Sequence, residues 1–436
     1  MIEIIRYFKT HYIPKGSFRA NVVTLMTGTA IAQAIPIAIS PILTRMYTPK
    51  DFGFFALYIA IVSIVAVIAT GRYEHAVMLT EKDEDALNLV ALSITIAFCV
   101  SIITFLSVWI FNISITNILG EPEISRWLYF IPLSILLTGI YQMLNYWSNR
   151  KKQYKRLAIS RILQSSVIAV VSLVIGISKF GFIGLIVGNI VGQGMATGFL
   201  IWQVWGENKY RRTLITKSSM RCLMLRYKDF PRYSIPADFI NTASNQTPFF
   251  LLNNFFNGEV VGFYSLTQRV LGAPITLIAG SILDVFKQRA SNDYAKYGNC
   301  RKIYIETFKR LLLFSIIPFV VFFFTAPKLF ILLFGNDWQT AGEYARIMSV
   351  MFFFRFISSP LGYVLYITEK QKYDLIWQVF LCIFTIISIL SGVYFNSAKV
   401  SIICFSISYS VMYVFYFILS YNFSKGNIEL EGRIAN

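Results

Sequence analysis

43-LTRMYTPKDFGFFAL-57 and 252-LNNFFNGEVVGFYSL-266 read as one hairpin written twice. At a constant offset of about 209 residues, Leu43, Gly53, Phe54 and Leu57 line up with Leu252, Gly262, Phe263 and Leu266, and Gly71 lines up with Gly280. Each copy falls where one long apolar run ends and the next begins. Two halves built from membrane-crossing helices and related by a parallel repeat make a transporter architecture, with the substrate held near the bilayer midplane.

The rest of the chain fits that division. Of its 436 residues 56% are hydrophobic and only 14% charged, with mean hydropathy +0.59. A soluble chain carries roughly a quarter charged residues. Apolar runs of about 20 residues, each enough to cross a hydrocarbon core, recur along nearly the whole length. Twelve spans are expected, at roughly 21–43, 53–70, 87–111, 127–147, 157–177, 181–203, 235–256, 260–284, 309–326, 345–367, 375–394 and 400–421. The seventh is polar for a membrane helix. The fold class is therefore all-α and polytopic, with two six-helix lobes. Residues 1–20 read as an amphipathic surface segment, since they lack the continuous apolar stretch of a signal peptide. Residues 21–204 form the first lobe, 205–234 a basic connector, 235–421 the second lobe and 422–436 a tail. Gly184, Gly188 and Gly192 give the sixth span a smooth face for close helix packing.

A formal charge of +18 would suggest a nucleic-acid partner in a soluble protein. Here position decides otherwise. Most of the 40 Lys and Arg fall on alternate loops: the N-terminus, 150-RKKQYKR-156, the connector and 287-KQRASNDYAKYGNCRK-302. That is the pattern of cytoplasmic loops, so both termini are expected inside a plasma membrane, with no nucleic acid bound. The outer loops are short and leave no room for a catalytic domain there. Neither a Walker A sequence nor HExxH nor GxSxG is present, so no enzyme is expected. Five scattered cysteines and two distant histidines, His11 and His75, predict neither a disulfide framework nor a metal centre.

Two cations stand well inside spans. Arg355 interrupts 351-MFFFRFISSPLGYVLY-366, and Arg269 lies at a similar depth in the eighth span. Inserting each costs about 2.5–3.5 kcal/mol, so an unpaired, lipid-facing placement is disfavoured. Helical spacing puts Ser358, Ser359 and Gly362 beside Arg355, and Gly262, Ser265, Gly272 and Thr276 beside Arg269. Such small, polar stripes suit a hydrated chamber, where paired guanidinium forks fit phosphate oxygens. The competing reading is structural, each arginine binding carbonyls of a broken helix. Asp238, Asn241, Thr242 and Asn245 share one face of the seventh span, and Gln142, Asn145, Tyr146 and Asn149 one face of the fourth. They suit sugar hydroxyls, with Tyr146 or Trp147 stacking on rings, or else interhelical hydrogen bonds. Asp238, with Asp374 and Gln378, is a candidate site for a coupling proton or sodium ion. No other cofactor is expected. Arg19, Arg72, Glu74 and Arg161 mark a cytoplasmic mouth that would attract a phosphate-bearing headgroup.

The segments 43-LTRMYTPKDFGFFALYIAIVSIVAVIATGRYEHAVML-79, 161-RILQSS-166 and 355-RFISSPLGYVLYITEKQKYDLIWQ-378 together resemble O-antigen-type polysaccharide repeat-unit flippases of the multidrug/oligosaccharidyl-lipid/polysaccharide exporter superfamily. The resemblance spans essentially the whole chain, and its first segment is the most specific. It implies a MATE-like fold and alternating access. The substrate would be an undecaprenyl-diphosphate-linked oligosaccharide crossing the bacterial inner membrane for O-antigen, capsular or exopolysaccharide biosynthesis. A polysaccharide polymerase and a chain-length regulator would be partners. It carries over to Arg72, Tyr73 and Glu74, and to Arg355 and Ser358–Pro360. The rivals are a multidrug exporter of the same superfamily and, in a different class, a membrane polysaccharide polymerase. The first would want acidic rather than cationic groups, the second a large outer loop.

Overall fold

The structure is a computed structural model that describes residues 18–207 and 215–426, with side chains from residue 24 onward. The surface segment expected at 1–20, part of the connector and most of the tail therefore lie outside the described residues. Every regular element among the described residues is helical. The first half holds α1 (Phe18–Met46), α2 (Pro49–Ala66), the short α3 (Glu74–Val77), α4 (Asp83–Leu119), α5 (Ser125–Leu128), α6 (Ile131–Arg150), α7 (Tyr154–Ile177) and α8 (Ile183–Glu207). The connector forms α9 (Lys217–Arg226). The second half holds α10 (Ile235–Phe255), α11 (Gly258–Pro274), α12 (Gly280–Tyr297), α13 (Arg301–Phe334), α14 (Gln339–Leu361), α15 (Val364–Ile367), α16 (Gln371–Tyr394) and α17 (Ala398–Ser424).

Among the described residues, ten helices are long and apolar enough to cross a membrane, and a pair bent by 48°, Pro122–Leu128 with α6, makes an eleventh. The expected count of twelve is not reached because α10 falls short in composition. Its 21 residues span about 31 Å at helical rise. Its length suffices, but Asp238, Asn241, Asn245, Gln246, Asn253 and Asn254 leave it too polar.

The chain divides into two compact units. One comprises the chain up to Tyr47 together with Phe54–Ala243, the other Thr48–Gly53 together with the chain from Ser244. The division thus passes through α10, and six residues of the first hairpin belong with the second unit. Within the first, Tyr73, Ala76, Val77, Leu89, Met143, Leu144 and Trp147 pack with Leu223 of the connector helix. Trp147, fully buried there, cannot stack on a sugar ring. Within the second, Phe286, Ile303, Tyr304, Phe356, Leu361 and Val364 form the core. Large side chains such as Trp109, Ile113, Phe314 and Phe324 are exposed, as helices facing acyl chains require.

The internal repeat reappears as local geometry. Thr48 caps α2, its hydroxyl accepting from Asp51 N at 3.2 Å while Asp51 Oδ2 accepts from Thr48 N at 2.8 Å. The equivalent Asn257 caps α11, its Oδ1 accepting from Val260 N at 2.9 Å. A Cβ built on Gly53 would lie 1.8 Å from Gly258 O, and one built on Gly262 would lie 1.8 Å from Pro49 O. Each matched glycine therefore rests on the carbonyl that opens the other copy's helix, a reciprocal contact possible only without side chains. Both third spans, α4 and α13, end at a glycine of positive φ, Gly120 and Gly335, before a 3-10 turn at 122–124 or 336–338. Lys152 and Glu369, at equivalent turns, share left-handed φ values of 56° and 58°. The expected glycine face of α8 packs on α7, where a Cβ on Gly188 would meet Ser172 Oγ at 2.4 Å.

Candidate substrate site

Within the second unit, α11 and α14 pack together, with Thr267 Oγ1 donating to Ala341 O at 3.0 Å. These are the helices that carry Arg269 and Arg355, so one packed pair holds both cations. Each arginine is partly exposed. The Arg355 guanidinium carbon lies 5.7 Å from the centroid of Phe352, and Tyr413, Tyr409 and Tyr264 are its phenolic neighbours. Arg269 lies 5.7 Å from the ring of Phe52, which Trp338 fixes edge-on at 5.0 Å. Among the described residues no carboxylate comes within ion-pair reach of either guanidinium. A cation over an aromatic face recovers about 0.5–2 kcal/mol, less than the insertion cost of an arginine. Aromatic neighbours thus flank these groups, and among the described residues no carboxylate offsets their charge.

The tyrosines around Arg355 were not singled out in the sequence. Phe405, Tyr409 and Tyr413 recur every fourth residue on α17, with ring centroids 4.5 Å and 5.9 Å apart along the row. That spacing is legible in the twelfth span, but in an apolar helix it reads as ordinary packing until Arg355 is seen against it. Ser358, one turn beyond Arg355, is buried at 2% exposure.

The remaining expected sugar-binding residues are divided between the units. Asn145 and Tyr146 are partly exposed on α6 of the first, where Tyr146 Oη lies 3.3 Å from His75 Nδ1. Asn241 and Asn245 are exposed on α10, the former in the first unit and the latter in the second.

Of the residues expected at the mouth, Arg72 and Glu74 join one network in the first unit. Gly71 and Arg72 both take positive φ, 62° and 60°, in the turn after α2. The turn delivers Glu74 to a fully buried position, where it accepts hydrogen bonds from Thr70 Oγ1 and, at 2.8 Å, from Gln142 Nε2. Arg72 lies 3.4 Å from Glu74 and 3.1 Å from Asp238 Oδ2. Asp238, expected to bind an ion with Asp374, is thus ion-paired to arginine. Arg161 donates to Thr29 Oγ1, and the side chain of Arg19 lies outside the described residues. Asp374 is buried in the second unit and accepts from Tyr416 Oη at 2.7 Å, Gln378 Nε2 at 2.8 Å and Tyr366 Oη at 3.1 Å. Three neutral donors stabilise its charge, and no cation among the described residues lies within ion-pair distance.

Comparison with known proteins bears on the family and the fold. The family described as polysaccharide biosynthesis protein matches residues 42–343. The succinoglycan biosynthesis transport protein ExoT of Rhizobium meliloti (strain 1021) is 20% identical over 306 residues, which cover 69% of this chain and 59% of that protein. This chain therefore spans less than two thirds of that relative's length. Among solved structures, the lipid II flippase MurJ in an inward closed conformation aligns with a TM-score of 0.74 at 14% identity, over 92% of this chain and 87% of that one. An inward-facing multidrug resistance MATE family transporter aligns with a TM-score of 0.68 at 13% identity, over 96% and 97% of the two chains. At such identities the likeness shows the fold alone, and the fold is MATE-like. The family match runs through the duplicated hairpin and the helix that carries Arg269, ending at Glu343 near the start of α14, and by it the chain belongs to the polysaccharide biosynthesis proteins.

Proposed function

We propose that this chain is a non-enzymatic flippase that moves polyprenyl-diphosphate-linked oligosaccharides from the inner to the outer leaflet of a bacterial plasma membrane by alternating access. The observation that carries the reading is the pair of uncompensated guanidiniums, Arg269 and Arg355, on one packed helix pair. A polyprenyl tail is content in lipid, but a diphosphate and sugars do not cross hydrocarbon unaided. Charge-assisted bonds from two arginines replace the hydration the diphosphate loses. The basic loops support cytoplasmic termini, and the exported repeat units feed a polysaccharide polymerase and a chain-length regulator. Asp374, a buried carboxylate held by neutral donors, is the group through which a proton or sodium ion drives the cycle. A carrier of cationic drugs would need free acidic groups, and the fixed cations here oppose it.

The test is Arg355→Ala in a strain lacking the chromosomal copy. Surface polysaccharide is expected to fall more than tenfold while the protein stays in the membrane at its normal level. Arg355→Lys keeps the charge but loses the fork and restores only part of the polymer. Normal polymer from Arg355→Ala at equal expression overturns the anion-site reading.

A further inference from the structure

The first unit contains a polar cluster inside its apolar helices that the reading above does not use. α1 and α7 run side by side in parallel register, set by Gly28 against Ala158 at one end and by Tyr47, whose hydroxyl donates to Ser172 O at 2.6 Å, at the other. This register brings Thr29 to Arg161, which donates to its hydroxyl, and sets Gln33 one turn further along, level with Gln164. From the other side α8 closes on α7 at Gly192, where a Cβ would lie 2.4 Å from Ile168 Cγ1. The close approach lets Gln164 donate its amide to Gln193 Oε1.

Three features of the cluster are unfinished. Gln193 is only 9% exposed, yet its Nε2 has no acceptor among the described residues. Gln33 Oε1 is buried with no donor among the described residues. Among the described residues no carboxylate lies within ion-pair distance of Arg161, and a guanidinium has five donors, of which the described contacts show one engaged. Burying donors without acceptors destabilises a fold, so arrangements of this kind persist where a ligand completes them. The inventory is specific: one fixed positive charge, several N–H donors and one lone acceptor. It suits an oxyanion with a hydroxyl beside it.

We propose that Arg161, Gln193 and Gln33, oriented by Thr29 and Gln164, form a second subsite, which binds an acidic sugar through its carboxylate or a sugar phosphate through its phosphate. Arg161 and Gln193 Nε2 hold the oxyanion, and Gln33 Oε1 accepts from a neighbouring hydroxyl. The inference deepens the flippase reading and rests on it for the source of the sugar. It does not depend on Arg269 or Arg355.

The experiment uses the full chain in lipid nanodiscs, with glucuronate, glucose 1-phosphate and neutral glucose as probes, followed by ligand-observed NMR. Wild type is expected to bind one or both anionic probes at least tenfold more tightly than glucose, and which of them binds identifies the oxyanion. Arg161→Gln weakens that binding at least tenfold. Gln193→Glu supplies an internal carboxylate to Arg161, so it abolishes anion binding while raising the temperature at which the protein aggregates. If Arg161→Gln does not fold, Gln193→Glu alone decides. Retained anion binding in Gln193→Glu, equal binding of glucose, or no binding by wild type overturns the proposal. So does loss of anion binding in Arg355→Ala but not in Arg161→Gln, because it moves the anion to the other site. The flippase reading is judged separately, by surface polymer in Arg355→Ala.

Discussion

Gly262→Ala tests the physics of the repeat. An alanine Cβ at this position would sit 1.8 Å from Pro49 O, whereas a comfortable C···O contact is about 3.3–3.6 Å. The atom in its way is backbone, so no side chain can swing aside, and the start of α2 must move off α11 by about 1.5 Å. Overpacking of this kind costs about 1–3 kcal/mol, and losing two Cα–H···O contacts adds about 0.5–1 kcal/mol each. The same helix provides the control. Gly272 has nothing within 4 Å of its would-be Cβ, so Gly272→Ala should be neutral or gain up to about 1 kcal/mol from helix propensity. Gly53→Ala should behave like Gly262→Ala, and the double variant should cost less than the two singles together, because one displacement relieves both clashes. The assay heats detergent-solubilised protein in steps and follows the monodisperse peak by size-exclusion chromatography, ranking the variants by midpoint. A Gly262→Ala midpoint at or above that of Gly272→Ala would refute the close approach, and strict additivity of the double variant would refute its reciprocity.

Two further outcomes are expected. Burial pushes the Cys300 thiol up to about 12, with the charge of Asp293 adding to the effect, so the thiol stays protonated at neutral pH. Since the thiolate is the nucleophile, a membrane-impermeant maleimide at pH 7.5 should modify Cys222, exposed on α9, from the cytoplasmic side and leave Cys300 unmodified until the protein unfolds. Rapid modification of Cys300 in the folded protein would contradict its burial. Asp374→Asn places an amide among the three donors that now serve a carboxylate, so the heating midpoint should fall, for a loss of about 1–3 kcal/mol. In liposomes, stimulation of flipping by a proton or sodium gradient should disappear in this variant. Stimulation equal to that of wild type would remove Asp374 from the coupling role.

Much of the fold was written along the chain because membrane insertion reads local composition. Apolar runs, basic loops and the doubled hairpin are properties of consecutive residues, and they specified an all-helical, duplicated membrane protein without any knowledge of contacts, while its MATE-like fold was implied by the family resemblance. The same logic singled out Arg269 and Arg355, since a charge in an apolar run is conspicuous by itself. It had least to go on at α10, where the expected helix is present although its composition is polar for a membrane span.

Partnership, by contrast, was decided only by tertiary structure. Asp238 looked like an ion ligand until folding set it 3.1 Å from Arg72, and Trp147 looked available until the core closed over it. Arg161 looked like one more basic residue at a membrane edge, and only the register of α1, α7 and α8 groups it with Gln33 Oε1 and Gln193 Nε2, which lack partners among the described residues. The reason is electrostatic. Whether a buried charge is spent or available depends on which group lies within a few ångströms, and that group comes from another helix. A span's own sequence sets what it costs to bury the charge, and only packing sets what offsets that cost.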